Sequence, residues 1–84
     1  LMIVPDQYET VKQVILNDIN RGATLLPAVG MYKGEKRNMI YTVLTRREMM
    51  VLRHRIAEID PDAFINIMDS KEILGKGFKS LQED

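Results

Sequence analysis

The sequence has 84 residues and contains no cysteine, no tryptophan and only one histidine, His54. The lack of cysteine excludes disulfides, thiolate nucleophiles and cysteine-based zinc sites, and one histidine leaves no His-rich metal site. No apolar run approaches the roughly 20 residues that a membrane-spanning helix needs. With 45% hydrophobic and 29% charged residues, the composition is typical of a small globular protein. We expect a single domain over residues 1–84.

The sequence also lacks recognisable catalytic motifs. It has no Walker loop, no GxGxxG pattern, no HExxH motif and no convincing Ser-His-Asp set. Asp60 and Asp62 flank a proline, and turn formation explains them. We therefore expect no enzymatic activity, no cofactor and no metal site. The chain begins at Leu1 rather than methionine, and we expect it to be a fragment of a longer protein.

The first half of the sequence predicts a strand, a helix and a second strand. Residues 1–4 form a short apolar strand, and Asp6 with Glu9 predicts a capping box at the start of the helix. Gly22 is predicted to end this helix in the left-handed conformation. Residues 24–32 form the second strand, and Pro27, which has no N–H, places that strand at a sheet edge. Apolar residues at spacings of three and four mark the buried side of the helix: Tyr8, Val11, Ile15 and Ile19.

The second half predicts a hairpin turn, a strand, a helix and a fourth strand. A turn at 33–36 leads into a third strand at 38–44. Thr45 and Glu48 predict a second capping box, and the helix that follows ends before Pro61. Its apolar stripe contains Met49, Leu52, Ile56 and Ile59.

Residues 64–68 predict the fourth strand. Asp69 and Glu72 predict a third capping box, which opens a short final turn that Gly75 closes. The element order is β-α-β-β-α-β, which indicates an α+β fold of the ferredoxin-like class. Right-handed crossovers give a four-stranded antiparallel sheet of order 4-1-3-2, with both helices on one face and a short C-terminal helical turn.

The sheet is predicted to be apolar on both faces, although the helices cover only one. In the second strand Leu25 and Val29 alternate with Leu26 and Ala28, and the other strands behave alike. An exposed apolar sheet face usually marks an interface. We expect self-association through the open face, or docking on another domain. The alternative is that the tail around Phe78 folds over part of it.

Charge is distributed unevenly along a chain whose net charge is zero. Residues 31–56 contain seven basic and two acidic residues, a net charge of +5, so the remainder carries −5. Arg46 and Arg47 fall in the first turn of the second helix, where cations oppose the helix dipole. Positive side chains beside free N–H groups favour anion binding. The alternative is that both are exposed arginines without a ligand.

The hairpin is a second candidate region. Gly30 inside a strand indicates a bulge or a close backbone approach, and Gly34 lies in the turn. Tyr32 is available to stack on a ring, although an ordinary hairpin with one aromatic residue explains it equally well. The neutral charge and the lack of an RNP-like aromatic motif argue against nucleic acid as a partner.

Several of these residues together carry a family resemblance. Arg21-Gly22-Ala23-Thr24, then Gly30, Tyr32 and Gly34, then Thr45-Arg46-Arg47-Glu48 resemble the C-terminal domain of the bacterial YitT-type membrane proteins. The stretch IDPDAFINIMDSKEILGKGF, residues 59–78, follows the same pattern. The resemblance covers nearly the whole chain, and its elements are specific only when taken together.

The resemblance implies a cytoplasmic domain of an integral membrane protein, joined to the membrane only through preceding transmembrane helices. The fold and hairpin of this family resemble those of PII-like signalling proteins, which bind nucleotides near the loop between strands two and three, at subunit boundaries. By position, the resemblance implies a ligand site at Thr24, Gly30, Tyr32, Gly34, Arg46 and Arg47.

Together these observations predict a regulatory module that self-associates and binds a small anion, such as a nucleotide, near the hairpin. The alternative is a purely structural oligomerisation domain with no small-molecule ligand.

Overall fold

The computed structural model describes residues 1–69, 73–75, 77–78 and 81. The predicted capping box at Asp69 and Glu72 includes positions outside these described residues. The strands are β1 (Met2–Val4), β2 (Thr24–Val29), β3 (Lys36–Tyr41) and β4 (Phe64–Asn66), and the helices are α1 (Tyr8–Gln13) and α2 (Arg46–Ile59). Helix α1 continues as a π-helical segment, Val14–Ile19.

The four strands form one antiparallel sheet in the order β2-β3-β1-β4. This is the predicted order 4-1-3-2 viewed from the opposite edge, and it confirms the α+β, ferredoxin-like prediction. Pro27 lies in the edge strand β2 opposite Asn38, where its missing N–H disrupts the sheet least. Within the described residues, no helix combines the length and apolarity needed to cross a bilayer.

The core forms between the two central strands and the helices. Ile3 and Ile40 are paired across β1 and β3, and they are 0% and 1% exposed. The helices cover them with Val11 and Ile15 from the first helix and Leu52 and Ile56 from α2, all members of one buried cluster. Because each such side chain contributes about 1.5–3 kcal/mol on full burial, this cluster fixes both helices on one face of the sheet.

The start of α1 differs from the prediction. Asp6 makes no capping box, and the helix begins at Tyr8 without a side-chain cap. The buried carboxylate of Asp60, at the end of α2, instead accepts hydrogen bonds from the backbone N–H groups of Asp6 at 2.8 Å and Gln7 at 2.7 Å. Asp6 forms an ion pair with Arg37 at 2.9 Å. The predicted local cap was wrong because a distant carboxylate binds the N–H groups before the helix.

The end of the first helix also differs from the prediction. Asn20, with φ of 60°, adopts the left-handed conformation that was predicted for Gly22. Asparagine is the residue that most readily replaces glycine in this position. The wider π-helical turn of Val14–Ile19 shifts the end of the helix relative to a regular α-helix.

The hairpin loop is longer than predicted. Strand β2 ends at Val29 rather than residue 32, and β3 spans Lys36–Tyr41 rather than 38–44. The Gly30 N–H donates to the carbonyl of Glu35 at 2.7 Å, and the Gly34 N–H donates to the carbonyl of Gly30 at 2.8 Å. Gly34 has φ of 69°, which glycine adopts without a steric penalty. Strand β4 is also shorter than predicted and ends at Asn66.

We predict that Asp60→Ala lowers the free energy of unfolding by about 1–3 kcal/mol, because two backbone N–H groups lose their acceptor. Asp60→Asn keeps one side-chain oxygen, so its loss should be smaller. Urea denaturation followed by circular dichroism measures both. The control is Asp62→Ala, an exposed residue of the same turn, which should change stability by less than about 0.5 kcal/mol. Equal losses at Asp60 and Asp62 would contradict this role for Asp60.

Candidate functional site

The sheet face that the helices leave uncovered is apolar. Ile3, Ile40 and Ile65 point to the helices, so their neighbours along each strand point the other way. We call the resulting surface the open sheet face. Its apolar residues are Met2, Val4, Leu26, Ala28, Met39, Tyr41 and Phe64.

Several side chains of the open sheet face are substantially exposed. Phe64 is 66% exposed, Tyr41 42% and Leu26 37%. Phe78, from the tail, lies at one corner of this face, where it lines a hollow with Thr24 and Tyr41. The described part of the tail therefore reaches a corner of the face and leaves Leu26 and Phe64 exposed.

Helix α2 begins with the predicted capping box. The Thr45 hydroxyl accepts from the Glu48 N–H at 3.2 Å, and the Glu48 carboxylate accepts from the Thr45 N–H at 2.8 Å. The two bonds satisfy two backbone donors of the helix terminus and fix the direction in which α2 leaves the sheet.

Arg21 completes this arrangement, and the sequence analysis did not assign it a role in a site. Its Nε donates to both carboxylate oxygens of Glu48, at 3.1 and 2.9 Å. Its guanidinium carbon lies 4.4 Å from the centre of the Phe78 ring, a cation–π distance. Its Nη1 also lies 3.4 Å from the Gly77 carbonyl oxygen. Arg21 and Glu48 are 27 positions apart, so no helical spacing could reveal the pair. We call Arg21, Thr45, Glu48 and Phe78 the capping cluster.

The capping cluster determines the protonation of Glu48. Partial burial acts to raise the pKa of the Glu48 carboxyl. The hydrogen bonds from the Thr45 backbone and the Arg21 and Thr45 side chains, with the Arg21 charge, outweigh burial and lower the pKa below its ordinary value of 4.5. Glu48 therefore remains a carboxylate and partly neutralises the positive helix terminus.

Two adjoining hollows lie at this end of the sheet. The first, which we call the α2 hollow, has a volume of about 350 Å³. It is lined by Leu1, Tyr41, Val43, Leu44, Thr45, Arg46, Met49, Ile67, Met68, Asp69 and Ile73. The second, the Arg21 hollow, has a volume of about 590 Å³. Its lining includes Arg21, Thr24, Thr42 and Phe78, and Tyr41 and Val43 line both this hollow and the α2 hollow. Both volumes fall within the range of small-molecule sites, about 300–1,000 Å³.

The structure separates the predicted site residues into two groups. Arg46 lines the α2 hollow, Thr24 lines the Arg21 hollow, and Arg47 is exposed in the first turn of α2. These three lie at the end of the sheet where β3 leads into α2.

Gly30, Tyr32 and Gly34 lie at the hairpin tip, at the other end of β2 and β3. Tyr32 is 95% exposed there. Six strand residues at about 3.3 Å each place the tip about 20 Å from the base of the hairpin. One chain therefore does not bring the hairpin tip to the arginines of α2. Within the described residues, no group of three or more His, Asp or Glu side chains is placed to hold a metal ion.

Comparison with known proteins is consistent with this geometry. A family model described as "Uncharacterized protein conserved in bacteria (DUF2179)" matches residues 21–75. The crystal structure of an uncharacterized DUF2179 protein from Eubacterium ventriosum aligns with a TM-score of 0.65 and 32% identity, over 75% of this chain and 86% of that chain.

Curated relatives include the UPF0750 membrane proteins YvjA and YitT of Bacillus subtilis. Each is 36% identical to this chain, over 93% and 88% of it respectively. The chain spans only 28% of YvjA and 26% of YitT. An uncharacterized Bacillus protein from the cccA 5′ region is also 36% identical, and the chain spans 52% of it.

We predict that the stabilising effect of Glu48 depends on pH. Because the folded-state pKa is depressed, the contribution is complete above the ordinary value of 4.5 and is lost as the pH falls through the folded pKa. The difference in unfolding free energy between wild type and Glu48→Gln should be constant near about pH 6–7 and shrink toward about pH 3. Denaturant titrations at each pH measure it.

A double-mutant cycle with Arg21→Met provides the control, because Arg21 is the charged partner of Glu48. The coupling energy should decrease with the same pH dependence. A coupling that does not change with pH would show that Glu48 does not stabilise the fold as a paired carboxylate.

Proposed function

The chain belongs to the DUF2179 family of uncharacterized bacterial proteins, and on that premise we propose that it is a regulatory module that self-associates and binds a small anionic ligand. The observation that carries the proposal is the open sheet face. Phe64, Tyr41 and Leu26 are exposed on this side of the sheet, while the central strands pack on the helices through Ile3 and Ile40 on the other side. Monomeric proteins rarely expose contiguous apolar surfaces of more than a few hundred Å².

The α2 hollow supports the ligand part of the proposal. Arg46 lines it at the first turn of a helix of 14 residues, where backbone N–H groups lack acceptors within the helix. Tyr41, Val43 and Ile67 provide apolar walls. Among the described residues of the lining, Arg46 is the one basic residue, and Asp69 is an acidic residue. An apolar hollow with an arginine at a helix N-terminus suits an anion that also carries a ring, which is the chemistry of a nucleotide. We place the ligand at the base of the β2–β3 hairpin rather than at its tip.

The relatives support attachment to a membrane protein. YvjA and YitT are described as membrane proteins, and the chain matches about a quarter of each. We propose that the chain is the cytoplasmic domain of such a protein, in which ligand binding or assembly of this domain regulates the membrane part. The proposed function is binding and not catalysis.

The capping cluster favours a second candidate function, a purely structural oligomerisation domain. The Glu48 carboxylate already occupies the positive terminus of α2 and is paired with Arg21 at 2.9 Å. A helix terminus that binds its own carboxylate has less need of a ligand. Under this second function the open sheet face still associates, but no small anion binds selectively.

We predict that Phe64→Ser and Leu26→Ser each weaken self-association about tenfold or more. Each substitution removes an apolar side chain that association would bury, and burial of that side chain contributes about 1.5 kcal/mol or more. Sedimentation velocity over a concentration series measures the dissociation constant. Met31→Ser is the matched control, because Met31 is fully exposed in the hairpin loop, away from the open sheet face. If Met31→Ser weakened association as much as Phe64→Ser, the interface would lie elsewhere.

We predict that one nucleotide or related anion stabilises the chain selectively in a thermal-shift panel, and that Arg46→Ala with Arg47→Ala abolishes this shift without affecting assembly. A ligand at 100 times its dissociation constant adds about 2.7 kcal/mol, several degrees for so small a domain. The panel contains adenine nucleotides, cyclic mono- and dinucleotides and inorganic phosphate. Equal shifts from every phosphate, or none, would select the structural oligomerisation domain.

A further inference from the structure

The outer side of α2 carries a basic patch with an apolar centre. Met50 is 62% exposed. Its four neighbours on the helix surface, three and four positions away in each direction, are Arg46, Arg47, Arg53 and His54. We call these five residues the α2 outer patch. Every surface neighbour of Met50 along the helix is therefore a basic residue.

The arginines of the patch differ from the other arginines in their pairing. Arg21, Arg37 and Arg55 each form an ion pair at 2.8–2.9 Å, with Glu48, Asp6 and Asp18 respectively. Among the described residues, no ion pair includes an arginine of the α2 outer patch. His54 is the one patch residue with an acidic neighbour, Glu58 at 3.5 Å.

The patch contributes little to the stability of the fold. Arginines in the first turn of a helix oppose its dipole, at a cost of about 0.3–1 kcal/mol each. Arg46 and Arg47 occupy that turn, and the exposed Met50 contributes little to the core. Because the α2 outer patch does little to stabilise the fold, contact with a partner is the simpler explanation for it.

The orientation of α2 directs the centre of this patch away from the rest of the molecule. Leu52 and Ile56 point inward to the sheet and are buried, so Arg47, Met50 and His54 lie on the opposite side of the helix. Arg46 and Arg53 flank them and also border hollows beside the sheet. The open sheet face lies on the far side of the sheet from both helices. A second copy bound to that face would leave the α2 outer patch exposed.

We propose that the α2 outer patch contacts the anionic surface of a lipid bilayer, with its arginines on lipid phosphates and Met50 at the headgroup boundary. Arginine binds phosphate bidentately, and clusters of basic residues next to a membrane are attracted to its anionic lipids. The relatives that share this domain are membrane proteins of which it makes up about a quarter, so a bilayer lies within reach of the domain.

Because the net charge of the chain is zero, only a locally basic surface such as the α2 outer patch can attract anionic lipid. The chain has no net charge, so an anionic surface does not attract it as a whole. Binding to anionic lipid must then depend on an oriented patch, and it should weaken with salt. This proposal goes beyond the proposed ligand site and does not require it, although both include Arg46.

A tryptophan reporter tests the contact directly, since the sequence contains no tryptophan. Met50→Trp places a single reporter at the centre of the patch, and Met31→Trp places one in the exposed hairpin loop. With the 84-residue chain and vesicles of phosphatidylglycerol in phosphatidylcholine, Met50→Trp emission should shift to the blue, and Met31→Trp emission should not. Vesicles of phosphatidylcholine alone should shift neither.

A matched pair of double variants tests the energetics while leaving Arg46 and Arg47 intact. Met50→Ser with Arg53→Gln should lower the partition coefficient onto anionic vesicles about tenfold. Loss of one arginine near an anionic surface lowers the partition coefficient about fivefold, and loss of the apolar side chain accounts for the remaining decrease. Met31→Ser with Lys36→Gln removes one methionine and one basic residue from the hairpin region. This control should change the partition coefficient onto anionic vesicles by less than about twofold. Circular dichroism confirms that both variants are folded, as expected for exposed positions.

Equal losses from the two double variants, or no preference for anionic over neutral vesicles, would overturn the proposal. Binding to an acidic polypeptide or to RNA without any blue shift of Met50→Trp on vesicles would assign the patch to a different partner and overturn it as well. The nucleotide-dependent thermal shift should persist in Met50→Ser with Arg53→Gln, so failure of this proposal and failure of the ligand site are distinguishable.

Discussion

Two helices cover one face of the sheet, although the sheet is apolar on both faces. Ile3 and Ile40 anchor both helices to the covered face, and on the other face Phe64 and Leu26 remain exposed in the described part of the chain. A chain of 84 residues buries only about two thirds of its unfolded surface. Because a small domain gains stability mainly by burying apolar area, association through the open sheet face would add a second core that the single chain does not form.

The capping cluster lies at the N-terminal end of α2 and forms the polar end of the fold. Thr45 and Glu48 close the terminus of α2, and Arg21 connects that terminus to the end of the first helix at 2.9 Å. Thr45 borders the α2 hollow and Arg21 borders the Arg21 hollow, so the polar end of the fold adjoins the candidate ligand site. A ligand that bound beside Arg46 would act on the contacts that orient α2, which provides a physical route from binding to a change in assembly.

The sequence predicted what depends on local chemistry. Thr45 and Glu48 are three positions apart, so their capping box could be predicted, and Pro27 correctly indicated an edge strand. The prediction failed where distant groups compete. Asp60 binds the N–H groups before α1 in place of a cap from Asp6, and Arg21 reaches Glu48 across 27 positions. The predicted ligand residues shared a family motif but not a location, because β2 and β3 separate the hairpin tip from Arg46.

The proposed self-association requires the open sheet face to bind a second copy of the chain. The most direct measurement is an isotope-filtered NOE experiment on a mixture of methyl-labelled and unlabelled chains, which detects only contacts between molecules. We expect intermolecular NOEs to the methyl groups of Met2, Leu26 and Met39 on that face. An associated sample whose intermolecular NOEs fall only on other surfaces would contradict association through the open sheet face, as would a chain that remains monomeric at the highest concentration NMR allows.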